Sequence, residues 1–156
     1  MNIYLASDHA GYKDKDALKV YLEQENSKGH IYNPIDCGDF KAGNSDDDYT
    51  DFIHKAMKLL TSDLKVGLES RAVIFGGSGQ GEAMVANRYK GVRATVYYGY
   101  DISIVKVGRE HNDANVLSMG GRYVSIEETI EAVNVFLDTP FTHLDRHVRR
   151  VKKIDD

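Results

Sequence analysis

A second cysteine is missing from this sequence. Cys37 stands alone, so no disulfide can close within the chain, and a reducing compartment is the expectation. No apolar run approaches the roughly 20 residues that cross a bilayer. The opening residues, Met1-Asn2-Ile3-Tyr4-Leu5-Ala6-Ser7-Asp8, carry no basic stretch and too short an apolar run for a secretory signal. A cytoplasmic protein with no membrane partner is expected. Excess positive charge is missing too. Lys and Arg total 20 against 24 for Asp and Glu, a net charge of −4, which argues against general nucleic-acid binding and still allows a local basic site. Internal repeats and low-complexity segments are also lacking.

What is present is an ordinary globular composition, 42% hydrophobic and 28% charged, in 156 residues, the usual size of one domain spanning 1–156. Short apolar runs alternate with stretches of helical period, the pattern of an α/β domain on a mainly parallel sheet. Strands are expected at Ile3 to Ala6, Ile35 to Cys37, Arg71 to Phe75, Ala94 to Tyr97 and Val116 to Met119. A helix from Tyr12 to Gln24 has the apolar stripe Ala17, Leu18, Tyr21 and Leu22. The polar stretch Gly38 to Asp48 reads as a loop whose Asp46-Asp47-Asp48 caps a helix with Tyr49, Phe52, Ile53, Ala56 and Leu60 on one face. Further helices are expected at Ala83 to Ala86, Asp101 to Glu110, from a Ser125/Glu128 capping box to Leu137, and from His143 to Lys153 beyond Thr139-Pro140. The whole reads as a Rossmann-like three-layer sandwich with a five-stranded sheet and an extended C-terminal helix, and ligands of such sheets gather beyond the carboxyl ends of the strands.

Chemistry collects in those places. Asp8 and His9 follow the first strand, Gly76-Gly77-Ser78-Gly79-Gln80-Gly81-Glu82 follows the third, Gly120-Gly121-Arg122 follows the fifth, and His111-Asn112 stands before it. Four glycines between 76 and 81 let a backbone turn tightly and aim N–H groups at an anion. A plain strand-to-helix turn reads the same way when taken alone. Neither a dinucleotide fingerprint nor a P-loop fits, since Glu82 stands where a third glycine is needed and no Gly-Lys follows. Glu82 also suits the helix dipole, yet a carboxylate beside a backbone nest is what removal of a proton next to a carbonyl requires. Arg146 and Arg150 share a helix face and make either a phosphate clamp or a solvated basic face. Of six histidines, His30 and His54 read as surface residues. His143 and His147 share a face without the glutamate of a zinc-protease motif, so no metal is expected.

Together Ser7-Asp8-His9-Ala10-Gly11, the Gly76 to Glu82 run, Ala86-Asn87-Arg88, Arg109-Glu110-His111-Asn112 and Arg146-His147-Val148-Arg149-Arg150 resemble the ribose-5-phosphate isomerase B family, over Ile3 to about Ile154 and in the family's order. The resemblance implies a cofactor-free aldose–ketose isomerase working through an enediolate on ribose 5-phosphate or a six- or four-carbon sugar phosphate; a phosphate-binding module without turnover is the remaining alternative. Members with a cysteine base carry it where this chain has Gly76, so the chain resembles the glutamate type. On that pattern Glu82 is the base and His111 the ring-opening acid. Gly77, Ser78, Gly79, Gln80 and Gly81 hold the oxyanion, Asp8 and Asn112 bind hydroxyls, and His9, Arg122, Arg146 and Arg150 secure the phosphate. Arg88 replaces the family's frequent lysine and receives no role. The resemblance also implies a homodimer or larger assembly with shared sites. The apolar stretch Val96 to Tyr100 with Ile102, Ile104, Val105 and Val107 fits such an interface.

Overall fold

The computed structural model describes residues 1–26, 28–38 and 46–156. Five strands, β1 (Asn2–Ser7), β2 (Asn33–Asp36), β3 (Arg71–Gly76), β4 (Ala94–Tyr97) and β5 (Val116–Gly120), form one sheet in the order β2-β1-β3-β5-β4. Every neighbouring pair is parallel, with Leu5 opposite Val73, Val73 opposite Leu117 and Thr95 opposite Leu117. Pro34 is tolerated because β2 is an edge strand and needs no donor on its outer side. The helices are α1 (Tyr12–Asn26), α2 (Tyr49–Lys65), α3 (Gln80–Ala86), α4 (Ser103–Asn112), α5 (Ile126–Asp138) and α6 (Asp145–Lys152).

Strand alternation builds two cores. Ile3, Leu5, Val73, Phe75, Leu117 and Met119 face one layer, where Leu18 and Leu22 of α1, Val105 of α4 and Phe136 of α5 cover them. Tyr4, Ala6, Ala72, Ile74 and Val116 face the other, under Ile53, Ala56, Met57 and Leu60 of α2 and Ala86 of α3. Burying each large aliphatic or aromatic side chain stabilises the fold by about 1.5–3 kcal/mol. The Rossmann-like three-layer arrangement is therefore as expected from the sequence.

Several details differ. Ala17 is exposed, and Lys15 takes the buried place on α1, with Nζ 2.6 Å from Asp36 Oδ2 on β2. Residues 39–45 of the polar loop lie outside the described residues. Asp48 occupies the N-cap position of α2 but its side chain makes no capping bond. The α5 capping box is present in both halves, Glu128 N–H to Ser125 Oγ at 3.2 Å and Ser125 N–H to Glu128 Oε2 at 2.8 Å. The expected helix at 101–110 starts and ends two residues later, closed by Asp113 in a left-handed conformation (φ 47). α6 begins at Asp145, after His143 with φ 54 and Leu144 in extended conformation.

Two edges of this sheet matter below. Parallel strands place all their carboxyl ends on one edge, and the connecting helices must run back and end at the amino edge. Strands of this length put roughly 17–20 Å between the two. At the amino edge Arg71 and Arg109, both buried, flank Phe136 with guanidinium carbons 5.5 and 5.8 Å from its ring centre. They donate to the last carbonyls of α5: Arg71 to Phe136 and Leu137 at 2.5 and 2.8 Å, Arg109 to Thr139 at 3.1 Å. Cations there satisfy carbonyls that the helix leaves without an internal partner.

Candidate active site

The chain leaves β1 for β2 on one side and enters β3 on the other, so a crevice opens beyond the carboxyl ends of β1 and β3. Asp8 and His9 come from one wall and the Gly-rich loop from the other. Asp8 Oδ1 accepts the N–H groups of Ala10 and Gly11 at 2.9 and 3.2 Å, fixing the turn into α1. His9 is held by Asp47, which accepts its backbone N–H at 3.0 Å and its Nδ1 at 2.6 Å. That hydrogen bond raises the His9 pKa above the ordinary histidine value.

The Gly-rich run is shaped by close approaches. Gly79, the N-cap of α3, has φ 73, and a Cβ there would lie 2.9 Å from the Met119 carbonyl carbon. Its carbonyl accepts the Ser118 hydroxyl at 2.6 Å. Gly77 lies beneath Arg122, whose Cζ and Nε would be 3.0 Å from a Cβ at 77. The Arg122 N–H donates to the Gly77 carbonyl at 3.2 Å. Ser78 Oγ stands 3.4 Å from the Gln80 N–H, Gln80 is exposed, and Gly81 abuts the Tyr49 hydroxyl. Glu82, only 4% exposed, points its carboxylate back at Gly76, into space that any Cβ at 76 would overlap. Burial raises the Glu82 pKa; a bond to its own backbone opposes this, and the nearby Asp8 charge adds to the rise.

Cys37 is fully buried just past the end of β2, its Sγ 3.7 Å from the Ile35 carbonyl, and burial pushes the thiol up to about 11.

The remaining expected residues lie elsewhere. His111 and Asn112 occupy the last turn of α4, not a loop before β5, and α4 ends at the amino edge. Arg93, just ahead of β4, donates to the Asn112 carbonyl at 3.0 Å. The His111 ring packs on His147 of α6, centroids 4.3 Å apart and planes tilted by 40°. His147 is buried, and its pKa is lowered, first by that burial and then by His111 and Arg146. Arg146 Nε donates to its Nε2 at 3.1 Å, so the ring proton sits on Nδ1 and donates to Thr142 Oγ1 at 2.7 Å; that hydroxyl donates to the Glu110 carbonyl at 2.8 Å. Arg146 and Arg150 are exposed on the same helix. His143 instead meets Phe141 edge to face, 4.8 Å between centroids with the planes at 64°. His30 and His54 are exposed, as expected, beside Tyr32 and Tyr89.

Within one chain, then, the site residues form two groups. Asp8, His9, Gly77 to Glu82 and Arg122 gather at the carboxyl edge; His111, Asn112, Arg146 and Arg150 gather at the amino edge. A helix returning from β4 ends at the opposite edge from Glu82, so within one chain His111 and Glu82 stand at opposite edges of the sheet. Asp47 has no site role in the sequence reading, yet it holds His9, which has one.

A family model described as ribose/galactose isomerase matches residues 3–154, nearly the whole chain. The chain belongs to that family. Ribose-5-phosphate isomerase B of Mycolicibacterium paratuberculosis is 36% identical to it over 151 residues, which cover 97% of this chain and 87% of the relative. Among solved structures, a ribose 5-phosphate isomerase of Thermotoga maritima is similar with a TM-score of 0.85 and 32% identity, covering 99% of this chain and 97% of that one. Ribose-5-phosphate isomerase B of Mycoplasma genitalium, solved with bound ribulose-5-phosphate, has a TM-score of 0.86 and 31% identity, covering 98% and 93%.

Proposed function

We propose that this protein interconverts ribose 5-phosphate and ribulose 5-phosphate in a site built from two copies of the chain, with Glu82 as the base. The observation that carries this reading is the buried Glu82 carboxylate, set against Gly76 at the mouth of a glycine-lined turn. His111 of the second copy donates a proton to the ring oxygen as the C1–O4 bond breaks, and the O1 hydroxyl gives up its proton to water as C1 becomes the aldehyde carbonyl. Glu82 removes the C2 proton, the C–H electron pair becomes the C1–C2 double bond, and O1 takes the negative charge beside the backbone N–H groups of residues 77–81. Glu82 returns the proton to C1 while the O2 proton moves to O1, leaving the C2 carbonyl of the ketose. Burial suits Glu82 to this, since a carboxylate at its ordinary pKa is a weak base and a raised pKa makes it stronger. Asp8 and Asn112 bind hydroxyls, and His9, Arg122, Arg146 and Arg150 hold the phosphate.

The two-edge geometry supports a second copy. A twofold arrangement sets the amino edge of one chain against the carboxyl edge of the other, which supplies His111 and the two arginines to Glu82. Tyr98, Tyr100, Ile104, Val107 and Tyr123 are exposed on the chain and give this assembly apolar, aromatic area to cover.

A six-carbon substrate is the second reading, favoured by the galactose in the family description. Purified protein is expected to isomerise ribose 5-phosphate in the presence of a chelator, and faster than any six-carbon sugar phosphate. Faster turnover of a six-carbon substrate would reverse the order of the two readings, and no turnover of either would refute both.

A further inference from the structure

Asp47 lies in the middle of a three-aspartate run whose outer members are exposed, yet its own carboxylate is 3% exposed. Both of its oxygens are spent on one residue: Oδ2 accepts the His9 backbone N–H at 3.0 Å and Oδ1 faces Nδ1 at 2.6 Å. A carboxylate only accepts, so Nδ1 carries a proton in both charge states of His9 and Nε2 is the nitrogen that titrates. The His9 side chain is 32% exposed, and Arg122 is near enough for the two charges to interact.

We propose that Asp47 is a positioning residue that holds His9 as an oriented imidazolium, so that Nε2–H is presented to a dianion at the carboxyl edge of the sheet. The proposal rests on the reading of His9 as a phosphate ligand given above. Neutral imidazole with its proton on Nδ1 would turn the Nε2 lone pair toward the anion and repel it. A buried carboxylate 2.6 Å from Nδ1 shifts the balance toward the charged ring, in which Nε2 becomes a donor. The other charged groups that act on His9 are Asp8 from the β1–α1 turn and Arg122 from the β5–α5 turn. Asp8 favours the imidazolium and Arg122 opposes it. Asp14 would touch a side chain at Gly121, next to Arg122.

The test follows His9 directly, by NMR titration of its ring, together with binding of sulfate, a dianion whose charge is constant over the range used. Asp47→Asn keeps the shape and removes the charge. The His9 midpoint is expected to move down in the variant. Sulfate affinity should fall about three- to tenfold near pH 8, each tenfold being one unit of protonation. At an acidic pH below both His9 midpoints the ring is protonated in both proteins, and the variant should bind sulfate as well as the wild type or better, because a negative charge has gone. That reversal separates charge from mere loss of structure. Equal weakening at both pH values, or an unchanged His9 midpoint, overturns the role of Asp47 alone. Failure of the wild-type protein to bind sulfate at either pH overturns the assignment of His9 as a phosphate ligand as well.

Discussion

Glu82→Gln is expected to lose turnover almost completely while keeping its fold and its affinity for phosphate. The amide preserves the volume and the contact with Gly76 but has no basic oxygen. Loss of general-base catalysis costs about 10²–10⁴-fold, and here the same group both takes and returns the proton. Its pH behaviour has a defined sign. The folded carboxyl binds its proton more tightly than the unfolded one, so wild-type kcat/KM should fall on acidification at a pH above the ordinary carboxylate range. The same shift means that ionising Glu82 lowers stability as pH rises from the ordinary carboxylate value through the raised one. Glutamine is neutral throughout, so the variant should melt at the same temperature as the wild type, or higher, at neutral pH. Stopped assays over a pH series and thermal melts check both halves. Near-normal turnover in Glu82→Gln would remove it from the mechanism.

Gly76→Ala is the second large effect, and it comes from one methyl group. Gly76 does not have a positive φ among the glycines that do, so its backbone admits alanine. What the new Cβ meets is the Glu82 carboxylate. That group is the flexible end of a side chain and can swing away, so the fold should survive. The base would then stand about 1 Å or more from its working position, and misplacement on that scale costs about 10²-fold in rate. The expected result is kcat lowered about 10²-fold with KM and melting temperature little changed. Unaltered kcat would mean that the contact between Gly76 and Glu82 has no part in placing the base.

The sequence made the layer architecture legible because strands and helices announce themselves by different periods, and the two cores follow from strand alternation alone. It did not reveal that β5 lies between β3 and β4, since strand order depends on how helices pack on the finished sheet. Lys15 was passed over for Ala17 because an apolar stripe gives a lysine no weight, and its partner Asp36 is 21 residues away. Glu82 could be found from its neighbours, a run of glycines that leaves a carboxylate beside a bent backbone. The reason for Gly76 could not, because it lies in a contact across the turn. Asp47 was read as a cap, since nothing in Asp46-Asp47-Asp48 marks which carboxylate turns inward. The helical period reads only as far as Glu110, so His111 looks like loop, whereas α4 runs two residues further, to Asn112.

Whether Glu82 and His111 serve one site from two chains is measured most directly by mixing Glu82→Gln subunits with His111→Ala subunits after dissociation and reassembly. Each parent should be inactive. In a hybrid twofold dimer one site carries both lesions and the other carries neither. Random exchange makes about half of the dimers hybrids, so roughly a quarter of wild-type activity should return. No recovery, with subunit exchange demonstrated by mass, would place both residues in the same chain's site and contradict the two-edge account.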